Sequence, residues 1–245
     1  SPLIPTRGLI IGISFTRRRV PGKEREEIHY GSVQVLDRYG EHLVTRVRVF
    51  RTSRTKGLYV PYSDMYSILK DVYRKYGKVP FIAVHKSSPF ASEEVRAIND
   101  FLSECSGELV KPGLLAVHVK GNTIYRCYDR RYSDLYVKRG ALLIDRLRNN
   151  RAILFTTGRI GERERSRLGT PKSLELGIHT NTLSLNVKDA AEQVLALTKL
   201  DWNTTELEVR MPITLKYSRR AAQLASYMFA EDIGDLHIGD IRDLM

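Results

Sequence analysis

The stretch Gly8-Leu-Ile-Ile-Gly-Ile-Ser-Phe-Thr16 decides the fold. It is almost wholly apolar and does not alternate, which is the pattern of a strand covered on both faces of a sheet. A basic turn follows, Arg17-Arg-Arg19 and then Pro21-Gly22, leading into the charged and exposed segment Lys23–Glu27. Ile28–Leu36 and Leu43–Phe50 do alternate, and Asp37-Arg-Tyr-Gly40 between them is a turn signal. These two segments therefore form a hairpin, with the first strand beside it.

Pro61 opens a helix, with Ser63 as a candidate cap. Met65, Ile68, Leu69, Val72 and Tyr76 fall at helical spacing, and Gly77 stops it. Val79–Val84 is a second buried strand running into His85-Lys-Ser-Ser-Pro-Phe90. Ala91–Cys105 is a helix with Val95, Ile98, Phe101 and Leu102 on one face, and Ser92, Glu93 and Glu94 at its positive end. Leu114–Val119 is a short strand, and Asn122–Tyr128 and Gly140–Ile144 read as strands of a meander. Ala152–Thr156 and Leu174–Ile178 are further strands, and Lys188–Leu200 and Pro212–Ala230 are the last helices. Three strands, then helix, strand, helix, strand is an order that many α/β domains share and that fits an RNase H-like α/β fold, a mixed central sheet flanked by helices. One domain over residues 1–245 is expected, with residues 1–7 as a linker or tag remnant.

Composition narrows the partners. The 245 residues include 42% hydrophobic side chains, enough for a full core, which argues against global disorder. Forty Lys and Arg face 28 Asp and Glu, a net charge of +12. Such an excess favours a polyanion, nucleic acid before a membrane surface. No apolar run nears the roughly 18–20 residues that cross a bilayer, so no membrane partner is expected. Cys105 and Cys127 have no nearby Cys or His, which excludes a zinc ribbon and points to a reducing, cytoplasmic setting.

Several segments together resemble the PIWI domain of Argonaute proteins. They are Ile10-Ile-Gly-Ile13, Phe81–His85 with Lys-Ser-Ser-Pro-Phe after it, and Leu168-Gly-Thr-Pro-Lys-Ser-Leu174. The most telling are Leu197-Thr-Lys-Leu-Asp-Trp-Asn-Thr204 and Met211-Pro-Ile-Thr-Leu-Lys-Tyr-Ser-Arg219. The resemblance spans residues 8–245 and implies an RNase H-like fold that binds a guide strand and its paired target, DNA or RNA. It further implies a prokaryotic, archaeal, short or split Argonaute, working with a MID-containing chain or domain and an associated effector protein. No complete MID, PAZ or N-terminal domain fits before residue 8, so a fragment or a split half is expected.

Active members of that family cut the target with two divalent cations held by converging carboxylates. Carried over residue by residue, that site is degenerate. The first aspartate belongs at Ser14, the second at Ser87 in the turn Lys86-Ser87-Ser88, and the last acid or histidine at Arg219. A serine stays protonated and uncharged at neutral pH, and an arginine repels a metal ion. The resemblance thus implies a catalytically inactive domain with no cofactor for catalysis. The loop-borne glutamate of the family has no assignable counterpart. The family's C-terminal tail suggests Met245, through its carboxylate, as a ligand for one divalent cation at the guide's 5′ phosphate.

Arg159, Arg163, Arg165, Arg167 and Lys172, set around Gly161 and Gly169, form the first candidate for phosphate binding. Glu162 and Glu164 dilute that loop, which also reads as merely solvated. Arg17 and Arg18, and Arg219 and Arg220, are further candidates with the same plainer alternative. Tyr125, Tyr128, Tyr132 and Tyr136, interleaved with Arg126, Arg130 and Arg131, fit a base-stacking platform, a core cluster or a partner interface. His85 and His118 read as strand histidines. Two rival functions stand beside guide-directed recognition of invading nucleic acid. One is an active Mg2+- or Mn2+-dependent endonuclease with carboxylates relocated to Asp37, Asp64 or Asp129; the other is a protein-binding scaffold subunit.

Overall fold

Three long strands begin the chain: β1 (Gly8–Arg19), β2 (Glu26–Asp37) and β3 (His42–Ser53). The computed structural model describes residues 7–19, 26–53, 57–161, 170–201, 203–205, 209–228 and 235–238. Helix α1 (Tyr62–Lys75), strand β4 (Phe81–Lys86), helix α2 (Ser92–Glu104) with a short 3-10 turn, and strand β5 (Gly113–Lys120) follow. The later elements are β6 (Leu142–Ile144), β7 (Arg151–Phe155), β8 (Ser173–Asn181), α3 (Val187–Leu197), α4 (Ile213–Met228) and β9 (Asp235–Ile238).

The strands form one sheet in the order β6-β7-β8-β5-β4-β1-β2-β3-β9. β1, β4 and β5 are parallel, while β2 is antiparallel to both β1 and β3. This is the RNase H-like arrangement expected from the order of elements. The sheet buries both faces. Leu9, Ile11, Ile13, Ile82 and Val84 face α1 and α2, whereas Ile10, Ala83, Leu115 and Val117 join α3 and α4 in a second core. A central strand apolar on both sides is what the Gly8–Thr16 run required. No helix among the described residues is long and apolar enough to cross a membrane.

Asn122–Tyr128 is not a strand. Residues 121–127 carry no regular structure, and only Tyr128 pairs, in an isolated bridge with Tyr136. The physical reason is that β5 already lies between β4 and β8, so it offers no free edge. Ile124 is left 89% exposed. Conversely, Asp235–Ile238 in the tail pairs antiparallel with β3, which its sequence did not announce.

Gly12 fixes how closely α4 approaches β1. A Cβ at that position would lie 2.3 Å from the Thr214 carbonyl oxygen, a backbone atom that cannot step aside. Gly12→Ala should therefore lower stability by about 1–3 kcal/mol or more, read as a fall in the urea midpoint. A midpoint matching that of the unchanged protein would show that α4 can move off the sheet at no cost.

Candidate nucleic-acid interface

Open α/β sheets place ligands outside the carboxyl ends of their parallel strands. Here the ends of β1, β4 and β5 lie together, and β8 starts beside the end of β5, where Lys120 pairs with Glu175. Ser14 is 2% exposed on β1, and its Oγ lies 3.1 Å from Ser87 Oγ, just past β4. The Ser87 N–H donates to the Ile13 carbonyl at 3.1 Å, which holds the turn against β1. Two of the three positions that the resemblance assigns to the family's metal site are thus in contact. Their hydroxyls are neutral and bond to each other, so they supply none of the negative charge with which converging carboxylates hold a pair of divalent cations.

The third position, Arg219, lies on α4. Gly12 faces Thr214, and Arg18 Nη1 donates to the Ser226 carbonyl at 3.3 Å, so α4 runs alongside β1 in the same direction. Arg219 comes level with Ser14 on this path, but its side chain is exposed, as is that of Arg220. Ser218, its neighbour, faces the sheet and donates to the Ser32 carbonyl at 2.6 Å.

The turn carrying Ser87 is held from below. Lys86 is wholly buried, and its Nζ donates to Glu94 Oε2 at 2.8 Å and to the Pro89 carbonyl at 2.7 Å. It lies 5.4 Å from the ring centres of both Phe15 and Phe90. Burial pushes the ammonium pKa down, while the Glu94 carboxylate works in the opposite direction. Glu94 also accepts from the N–H groups of Val60 at 2.8 Å and Ala91 at 2.7 Å, so its charge is met on three sides. On the other face of β4, buried His85 bridges Gln193 of α3 at 3.0 Å and Thr214 of α4 at 3.3 Å. Among the described residues no group of three or more His, Cys, Asp or Glu is suited to a metal, the histidines of the parallel strands included.

The cationic candidates fall into three sets. Arg17 and Arg18 at the end of β1, Arg219 and Arg220 on α4, and Lys172 ahead of β8 are exposed. Lys172 has its backbone N–H fixed on Thr157 Oγ1 at 3.0 Å, so its ammonium projects from an anchored chain. Arg159 is different. Its side chain is only 12% exposed, pairs with Asp134 at 2.7 Å and stacks 4.4 Å over the Tyr132 ring. It braces the loop instead of standing free. Arg163, Arg165, Arg167 and Met245 lie outside the described residues. Of the tyrosines, Tyr125 and Tyr128 are exposed at 48% and 61%, while Tyr132 is covered by Arg159.

The proposed relocated carboxylates stay apart. Asp37 accepts from the backbone N–H groups of Tyr39 and Glu41, both at 2.8 Å, and pairs in register with Leu9 at the far end of β1 from Ser14. Asp64 pairs with Arg48 at 2.8 Å. Asp129 pairs with Arg131, whose hydrogen bonds hold the carboxyl pKa down to about 2.

Two supports were not legible as such. Buried Asp201, inside the Leu197–Thr204 segment, takes hydrogen bonds from Lys216 and from Tyr217 Oη, the latter at 2.8 Å. Burial opposes its charge, but those two donors hold its pKa below the usual value; burial and Asp201 push the Tyr217 phenol up to about 12. That network ties the Leu197–Thr204 segment to the first turns of α4. Arg210 donates to the carbonyls of Gly121 and Ser173, tying the loop after β5 to the start of β8.

No family model and no curated protein matches the sequence. Solved structures do. Aquifex aeolicus Argonaute with externally bound siRNA superposes with a TM-score of 0.60 at 18% identity, over 96% of this chain and 30% of that one. A second Aquifex aeolicus Argonaute structure gives 0.61 at 16% identity, over 96% and 30%. Marinitoga piezophila Argonaute in complex with 5′ OH guide RNA and target DNA gives 0.57 at 14% identity, over 88% and 29%. The chain spans under a third of the length of these proteins, and at this identity the likeness shows one thing, that it has the RNase H-like α/β fold found within Argonaute proteins.

Proposed function

We propose that this chain is a catalytically inactive PIWI-type domain that binds a guide strand and its target. The observation that carries the reading is the Ser14–Ser87 contact, at 3.1 Å, where a nuclease of this fold needs converging carboxylates. Exposed Arg17, Arg18, Lys172, Arg219 and Arg220 supply charge for phosphate contacts around that end of the sheet. Sequence would be read by guide pairing, so the protein needs only shape and charge recognition. The Marinitoga piezophila protein described above holds guide RNA and target DNA, which supports nucleic acid as the partner class. In this reading the domain acts in the cytoplasm of a prokaryote, with a MID-containing chain or domain and an effector protein, in recognition of invading nucleic acid.

Labelled 5′-phosphorylated single strands and guide–target duplexes test it by fluorescence anisotropy. With six or more phosphate contacts, affinity should fall about a thousandfold between about 50 and 200 mM salt. Flat salt dependence would remove the reading. Target cleavage in Mg2+ or Mn2+, abolished by a single change at Asp37, Asp64 or Asp129, would replace it with the nuclease.

A further inference from the structure

We infer that the β6–β7 hairpin is a docking edge for an acidic, extended peptide segment of another protein, which adds to the sheet beside β6. Among the described residues, β6 is the last strand of the sheet on its side. Leu143 pairs with Ile153, Asp145 N donates to the Arg151 carbonyl at 3.0 Å and Phe155 N donates to the Ala141 carbonyl at 2.9 Å. By the alternation of an antiparallel ladder, the N–H and C=O groups of Leu142 and Ile144 therefore point away from β7, toward the open edge. The same short segment exposes apolar side chains: Leu143 at 50%, Ile144 at 45% and Leu147, at the turn, at 97%. An open strand edge flanked by uncovered aliphatic residues is what β-strand addition uses.

The charge selects the occupant. Arg146, Arg148 and Arg151 surround this edge, all exposed and without an ion pair among the described residues. The single acid of the hairpin, Asp145, is already occupied, since its Oδ1 accepts from Leu147 N at 2.9 Å and Arg148 N at 3.2 Å. The turn is closed further by Arg151 N donating to the Arg148 carbonyl at 2.9 Å, so the surface is preorganised. A second copy of this chain would set three guanidiniums against three. A nucleic acid has no amide row to match the edge and no aliphatic group suited to Leu143 or Leu147. A peptide alternating acidic and apolar residues satisfies all three features. β6 stands five strands from β1, roughly 24 Å away, so such a segment leaves the Ser14 end of the sheet open. The inference does not depend on nucleic-acid binding.

Panning a displayed library of random peptides against the full chain tests it. Enriched peptides should be net acidic with alternating apolar residues and bind at least about tenfold more weakly to R146E/R148E and to L147D. These positions are exposed, so the variants should keep the fold, as circular dichroism would verify. Hydrogen exchange at the Leu142 and Ile144 amides should slow on binding. No enrichment, enrichment of basic peptides, or peptides indifferent to both variants would overturn the inference. So would a dimer broken by L147D, which would assign the edge to a second copy, or loss of oligonucleotide binding in R146E/R148E, which would assign it to nucleic acid.

Discussion

Lys86→Ala should destabilise the protein by about 3–5 kcal/mol, the usual loss when one partner of a buried ion pair is removed and the other is left uncompensated. Both side chains of the Lys86–Glu94 pair are fully buried, 2.8 Å apart. Taken alone, such a pair is weak evidence of net stabilisation, because desolvating two charges offsets most of their attraction. The expected loss comes from stranding Glu94, which would keep only the Val60 and Ala91 amides. K86M/E94Q should therefore be less destabilised than K86M and E94Q alone add up to, with a coupling of about 1–3 kcal/mol. Urea denaturation of the four proteins measures this directly. Additive single effects would show that the pair is not coupled and that the loss is one of packing against Phe15 and Phe90. The consequence reaches the site, because Lys86 also holds the Pro89 carbonyl and so shapes the turn that presents Ser87.

The parts of this fold that could be read from sequence are those set by local pattern. Gly8–Thr16 announced a doubly covered strand because both of its faces are apolar, and the alternation of Ile28–Leu36 and Leu43–Phe50 announced a hairpin. Met65, Ile68 and Leu69 announced the buried side of α1. Asn122–Tyr128 follows β5 directly, and β5 is paired on both sides, so the segment has no place beside the strand it leaves. Lys86 gave no signal, being a basic residue beside a Ser-Ser-Pro turn. Its burial follows only from the return of Glu94 on the first turn of α2. The Ser14–Ser87 contact joins residues 73 positions apart, and only the parallel pairing of β1 with β4 brings them together. Arg159 shows the converse. Its loop is rich in arginine, but Asp134 and Tyr132, about 25 residues earlier, recruit it into the structure.

Acidification should weaken the fold through His85. This imidazole is fully buried between α3 and α4, with Gln193 and Thr214 as its partners, neither of which titrates. Burial pushes its pKa from 6.5 to about 4, the Gln193 hydrogen bond opposing only in part. Between these values the unfolded chain binds a proton that the folded chain excludes. The stability His85 contributes is therefore intact above about pH 6.5, declines as the pH falls through that window, and is down by about 3 kcal/mol at about pH 4. By about pH 5 roughly 2 kcal/mol should be gone. Carboxylates titrate in the same range, so the measurement is a difference between the protein and His85→Gln, which cannot take up the proton. The variant carries its own constant loss of packing. Its urea midpoint should nevertheless converge on that of the unchanged protein as the pH is lowered from about 7 to about 5, by roughly 2 kcal/mol. If the two stability curves stayed parallel over this range, His85 would not be the residue that makes the α3–α4 face of the sheet sensitive to acid.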